Sequence, residues 1–248
     1  MKTQPHSTKS GNRSLLRLPD GSMIDRARNE ACRRDFVSFI ELVFSLLAPG
    51  RSLHMNWHIR ALAYYLEHVR LGRIRRLIIN LPPRFLKSII SSVAFPAYVL
   101  GHDPTKRIIA ISYGLELATK FAHDSRIVMS SDRYKGIFPR TRLLRSNESE
   151  IVTTQGGHRL ATSIDGPLTG RGGDIIVIDD PHKLSDVDSD SRCEHVYDTY
   201  RNTILSRLDD HEKWCNCADR ATIPQRRFVR LAFEPFHWLD GFEVSHDC

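Results

Sequence analysis

With 248 residues, 41% of them hydrophobic, the chain has enough apolar material for one large domain or two small ones, and its formal charge of +7 suits a polyanionic partner such as DNA without requiring one. No apolar stretch approaches the roughly 18 residues of a membrane span, and no basic segment followed by an apolar core opens the chain, so a cytoplasmic protein is expected. The five cysteines (Cys32, Cys193, Cys215, Cys217 and Cys248) form no Cys-x-x-Cys pair and no histidine lies at zinc-ligand spacing, which leaves free thiols as the expectation.

Residues 1 to 22 are polar, basic and rich in Ser, Gly and Pro, and predict a disordered arm. From Ile24 to Leu47 the period is helical, with Phe36, Phe39, Ile40, Val43, Phe44 and Leu47 on one face, stopping at Pro49-Gly50. A second amphipathic helix starts at Asn56-Trp57-His58 and ends near Gly72. Leu77 to Leu81 then reads as a short buried strand ended by Pro82 and Pro83, and Lys87-Ser88 opens a helix running to about Leu100. Strand, tight loop, Lys-Ser and helix make a phosphate-binding loop. The loop Pro82-Pro83-Arg84-Phe85-Leu86, through the backbone N–H groups of its non-proline residues, and the helix start face the anion, Lys87 reaches the β/γ-phosphates of ATP, and Ser88 takes Mg²⁺. Both glycines of G-x-x-x-x-G-K-[ST] are missing, Leu81 and Leu86 standing in their places. At Leu86 a side chain is expected to force the backbone away from positive φ and weaken the grip on nucleotide. An ordinary strand-to-helix turn with an exposed lysine would read the same way.

Arg107 to Ser112 is a second buried strand, followed by a helix from Leu115 to Val128; Tyr134 to Pro139 reads as a connection. A hairpin pairs Ile151 to Thr154 with His158 to Ser163 across Gly156-Gly157, and a glycine-rich loop with Arg171 as its one charge leads into DIIVIDD, Asp174 to Asp180. A buried strand that delivers two acids at its end supplies Asp179 for a Mg²⁺ shell and Asp180 to orient an attacking water. A core strand capped by solvated acids is the simpler alternative. Beyond Ser185 the chain is acidic and helical to Leu205, with Tyr197, Tyr200 and Ile204 as its buried face. The alternation of strands and helices predicts an α/β fold with a mainly parallel central sheet flanked by helices.

From Trp214 the composition changes: three of the five cysteines and Trp214 and Trp238 fall there, with no run of four to eight apolar residues to form a strand. Entered one nucleotide late, codons permitted for Trp214 to Phe228 can encode Gly-Ala-Ile-Val-Leu-Ile-Val-Gln-Arg-Tyr-His-Ser-Asp-Asp-Leu. The segment 214–248 therefore reads as an out-of-frame tail, with a sheet position left unpaired before it.

The segments RRLIINLPPRFLKS, AFPAYVLGHDP, RIIAISY, SNESE, TTQGGHRLATS, LTGRGGDIIVIDDP and NTILSRLDD, in this order over about residues 34 to 213, resemble the ATPase domain of the large terminase subunit of tailed bacteriophages and prophages. The resemblance implies a P-loop NTPase over residues 23–213. It also implies an ATP- and Mg²⁺-dependent motor for packaging double-stranded DNA, working as a homo-oligomeric ring with a small subunit, a portal protein and a procapsid. By the same resemblance, Arg84 and Arg171 are candidate arginine fingers, in cis or from a neighbouring subunit, and Trp57 and His58 are candidates for the adenine pocket, with simple core packing of Trp57 as the alternative. The nuclease domain of the family is expected to be absent, and the shifted-frame segment resembles the family's strand immediately after SRLDD. A generic phosphate-loop helicase or repair ATPase, or an inactive prophage remnant, are the rival readings.

Overall fold

The computed structural model describes residues 21–82, 84–168, 170–183, 186, 189–208 and, as backbone, 215–220. Its β-rich segments pair into a seven-stranded sheet: β1 Arg76–Asn80, β2 Arg107–Ser112, β3 Leu143–Ser146, β4 Glu150–Thr153, β5 His158–Ser163, β6 Ile175–Asp179 and β7 Cys215–Arg220, in spatial order β1-β7-β6-β2-β5-β4-β3. From β1 across to β5 the neighbours are parallel, while β4 and β3 add antiparallel at the far edge.

Successive strand residues face opposite sides of a sheet, so a run apolar at every position must be covered on both. In β6, Ile175 and Val177 enter one core and Ile176 and Ile178 the other; in β2, Ile108 joins the first and Ile109 and Ile111 the second. The first core is walled by α1 Gly21–Arg34, α2 Phe36–Leu47, α3 Trp57–Arg70, α4 Phe95–His102, α5 Leu115–Ser130 and α6 Asp132–Ile137. Within it Phe36, Phe39, Tyr98, Tyr134 and Phe138 make a continuous aromatic cluster. The second core is covered by α7 Asp190–Thr199 and the turn directly after it, through Val196, Tyr200 and Ile204.

Several expectations are corrected. The single helix expected from Ile24 to Leu47 is two: Asp35 leaves helical geometry, and its carboxylate accepts from the N–H groups of Val37 and Ser38, capping α2. Tyr134 is no connection but lies in α6, whose start is capped by the Ser131 hydroxyl accepting from the Tyr134 N–H. On α7 the buried face uses Val196 where Tyr197 was expected. The expected arm over residues 1 to 22 lies outside the described residues up to residue 20, and Gly21 and Ser22 already begin α1.

The largest correction is β7. The sheet position expected to stay unpaired is occupied by Cys215–Arg220, paired to β1 on one side and β6 on the other, with Ile79 and Asp179 both registered with Asp219. Ladder hydrogen bonds are made by backbone, so two flanking strands can hold a segment that has no apolar run of its own. The rest of the expected out-of-frame tail, 214 and 221–248, lies outside the described residues.

Candidate functional site

β1 ends at Asn80, and after the loop Lys87 and Ser88 begin a helix that continues through a π-helical turn, Ile89–Ala94, into α4. Two loop residues are left-handed, Arg84 at φ 72° and Leu86 at φ 60°. Leu86 therefore keeps the backbone shape that glycine would take, contrary to the expectation that it would abandon positive φ. The cost of a left-handed L-residue is about 1–2 kcal/mol, and alternating handedness turns successive N–H groups into an anion-binding concavity. Pro82 is exposed, and Pro83 lies outside the described residues.

β6 supplies the other half. Alternation along the strand puts Asp179 on the same face as Ile175 and Val177, the face covered by the helix that leaves the loop. There the Ser88 hydroxyl donates to Asp179 Oδ1 at 3.1 Å and the Ser92 hydroxyl to Oδ2 at 3.2 Å. Lys87 Nζ donates to Asp180 Oδ1 at 3.2 Å. β1 and β6 are separated by β7, about 10 Å of sheet, so these side chains close over the end of the strand between them. Asp180 is the third left-handed non-glycine residue, at φ 45°, its carbonyl accepting from the Tyr113 N–H at 3.1 Å. Among the described residues, the non-glycine positive-φ residues are these three, all at this one site.

Burial argues against an exposed turn lysine and against a solvated acid at Asp179, while the Asp180 side chain is 32% exposed. Lys87 is 5% exposed and Asp179 1%, so neither an exposed turn lysine nor a solvated acid describes them. A charge so buried is retained only where it is paired.

The aromatic candidates also come to this loop. Trp57 and His58 open α3; the His58 ring is buried and meets Phe85 edge-on at 4.9 Å and Trp57 edge-on at 6.2 Å. Burial lowers the His58 pKa. Trp57, 57% exposed, is not packed into the core, and Phe85 is also exposed.

Arg84 is exposed within the loop, whereas Arg171 is elsewhere. It lies just ahead of Gly173 and Asp174, which bind Arg207 and Arg107 backbone at the N-terminal end of β6, while the phosphate loop leaves the C-terminal end of the parallel strands. Arg171 donates to Glu150 at 2.5 Å, and Arg145 takes the other carboxylate oxygen. Burial pushes the Glu150 carboxyl up, but the hydrogen bond and charge of Arg171, with Arg145, outweigh it and hold it below the usual value. The structure thus does not bring Arg171 to the phosphate loop of its own chain.

Among the described residues no three His, Cys, Asp or Glu side chains gather as a metal cage. The hydroxyl and carboxylate of Ser88 and Asp179 are hard oxygen donors of the kind that hold Mg²⁺ together with phosphate oxygens, and no all-protein cage is needed for that. The sequence reading missed Ser92, whose only signal was a serine pair inside the apolar stretch IISSVAF.

A mainly parallel sheet with helices on both faces, a strand-loop-helix bearing Lys-Ser, and an acidic strand facing it make an α/β architecture that fits a P-loop NTPase fold. Among solved structures, the chain is similar to the crystal structure of the HK97 bacteriophage large terminase, with TM-score 0.52 and 14% identity over 77% of this chain. The chain spans 38% of that terminase chain. No family model matches the sequence, and no curated protein matches it either. Among the described residues no helix is long and apolar enough to cross a membrane.

Proposed function

We propose that this chain is the ATP-hydrolysing motor portion of a terminase-like packaging machine. The observation that carries the reading is the closure of Lys87 and Ser88 onto Asp180 and Asp179, from segments 91 to 93 residues apart in the chain, at a site where three non-glycine residues hold strained backbone. Strain of this kind persists where surrounding structure enforces it, and it clusters at ligand sites. Lys87 binds the β/γ-phosphates. In exchanging Asp180 for phosphate it releases that carboxylate to orient the attacking water. Ser88 and Asp179 hold Mg²⁺, which when bound neutralises phosphate charge. The exposed rings of Trp57 and Phe85 offer a stacking surface for the base. Arg84, exposed in the phosphate loop, acts as a finger in cis. Arg171 can serve only from a neighbouring subunit, which fits a homo-oligomeric ring acting on double-stranded DNA with a small subunit, portal and procapsid.

A second reading, a remnant that binds nucleotide without turning it over, is favoured by one feature: β7 carries Asn216 and Asp219 where a strand paired on both sides is ordinarily apolar. Phosphate release measured against Mg²⁺ concentration, with Lys87→Ala as control, separates the two. Turnover that needs Mg²⁺ and Lys87 supports the motor, and nucleotide binding without turnover supports the remnant. Stimulation by DNA without ring assembly would instead favour a helicase-like enzyme.

A further inference from the structure

The helix that leaves the phosphate loop carries a defect with a specific cause. Pro96, at the start of α4, has no N–H, so the carbonyl four residues earlier, that of Ser92, is denied its α-helical donor. The helix widens there into the π-helical turn, with the Phe95 N–H reaching back five residues to the Ile90 carbonyl. The Ser92 carbonyl is instead met from the sheet: Arg159 Nη2 donates to it at 3.1 Å.

Arg159 is an expensive residue for that task. It is fully buried in β5, and its Nε and Nη1 have no hydrogen-bond partner among the described residues. Its register partner in β2 is Ile108, which pairs in turn with Ile175, so Arg159 shares the sheet face of Ile175 and Asp179. Burial lowers its pKa to about 10. A methionine or leucine would fill similar volume without the desolvation cost of a cation. What the guanidinium does contact is the backbone of Ser92, whose hydroxyl donates to Asp179 Oδ2.

We infer that Ser92 is a positioning residue for the metal-holding acid Asp179, and that Arg159 sets Ser92 in place from the neighbouring strand; this rests on the nucleotide-hydrolysing reading above. Ser88 has a second duty toward Mg²⁺. Ser92, one helical turn further on and buried at 1% exposure, is left to fix the carboxylate. Such supporting hydrogen bonds around a metal ligand are worth about 10–100-fold in metal affinity.

The test uses the full chain and Mn²⁺ as the probe, its binding in the presence of ADP followed by electron paramagnetic resonance and ADP binding in EDTA followed by calorimetry. Ser92→Ala is expected to weaken Mn²⁺ binding about tenfold while metal-free ADP binding stays within about twofold. Ser92→Cys, which keeps the volume but donates weakly, falls between and serves if the alanine variant does not fold. Arg159→Met is expected to weaken Mn²⁺ in the same direction although it touches neither metal nor nucleotide. Unchanged Mn²⁺ affinity in the Ser92 variants overturns the inference and leaves the nucleotide reading intact. A wild-type chain that binds neither ADP nor Mn²⁺-ADP overturns both.

Discussion

The two ends of the parallel sheet both carry clustered charge, and they carry it differently. At the C-terminal end a lysine is buried against an acid, and Arg84, Leu86 and Asp180 stand at φ of 72°, 60° and 45°. At the N-terminal end Asp174 accepts the Arg107 N–H and lies beside the side chains of Lys106 and Arg107, and Glu150 sits between Arg145 and Arg171. There the non-glycine backbone among the described residues is unstrained, and the partner cations are 41–59% exposed. Ion pairing alone is thus common to both ends. Strained backbone around a buried cation belongs to one, the end where the proposed nucleotide site lies, and strain of this kind clusters at ligand sites.

Four experiments break or sharpen this contrast, taken from the largest effect to the smallest. Lys87→Ala is expected to lower ATP hydrolysis at least about 100-fold, the loss typical when a donor aimed at developing charge is removed; phosphate release measures it, and a smaller loss would put the C-terminal cluster on a par with its opposite. Glu150→Gln should leave hydrolysis alone but destabilise the fold by about 2 kcal/mol, since it weakens a buried carboxylate that holds two arginines. Because the folded carboxyl lies below its ordinary value of 4.5, its contribution is complete above that pH and is lost as pH falls through the folded value, so the difference in urea midpoint between wild type and variant should close in acid. Leu86→Gly should raise stability by about 1 kcal/mol by relieving left-handed strain, whereas Leu86→Ala, which keeps a Cβ, should gain nothing; thermal melting of the pair tells strain from side-chain packing. Arg171→Ala should not change hydrolysis by the isolated subunit, and any loss should appear only at concentrations where subunits associate.

The strong local signals in the sequence were sufficient for much of this. DIIVIDD could be read as a strand buried on both faces because each of its apolar residues has its own core to enter, and Lys87-Ser88 could be placed because a strand ending at Pro82 must turn. What was not legible depends on partners remote in the chain. Arg159 meets Ser92 across 67 residues, and nothing in HRLATS says that its arginine points inward. Leu86 could be seen to replace a glycine, but not that the loop would keep glycine's conformation at a cost. Arg171 lies only a few residues before the acidic strand, yet the strand's own length carries the two to opposite ends of the sheet. β7 was illegible because its sequence has no apolar run, and its backbone pairs with β1 and β6, strands remote in the chain.

That placement has a kinetic consequence. Among the described strands β1 is joined to the sheet only through β7, its register running from Arg76 opposite Asn216 to Asn80 opposite Arg220, so the first and the last of the described strands must find each other before that sheet is continuous. The parallel pairings that do not involve β7 are made between β2, β5 and β6, which can assemble earlier. Long-range closure is entropically slow, and until it happens β1 and β6 each present an open edge to other chains. Refolding is therefore expected to proceed in two stages, with amides of β2 and β5 protected from hydrogen exchange first and those of β1 only together with β7. Protection of β1 ahead of β7 would show that its helices, not its ladder, bring it home.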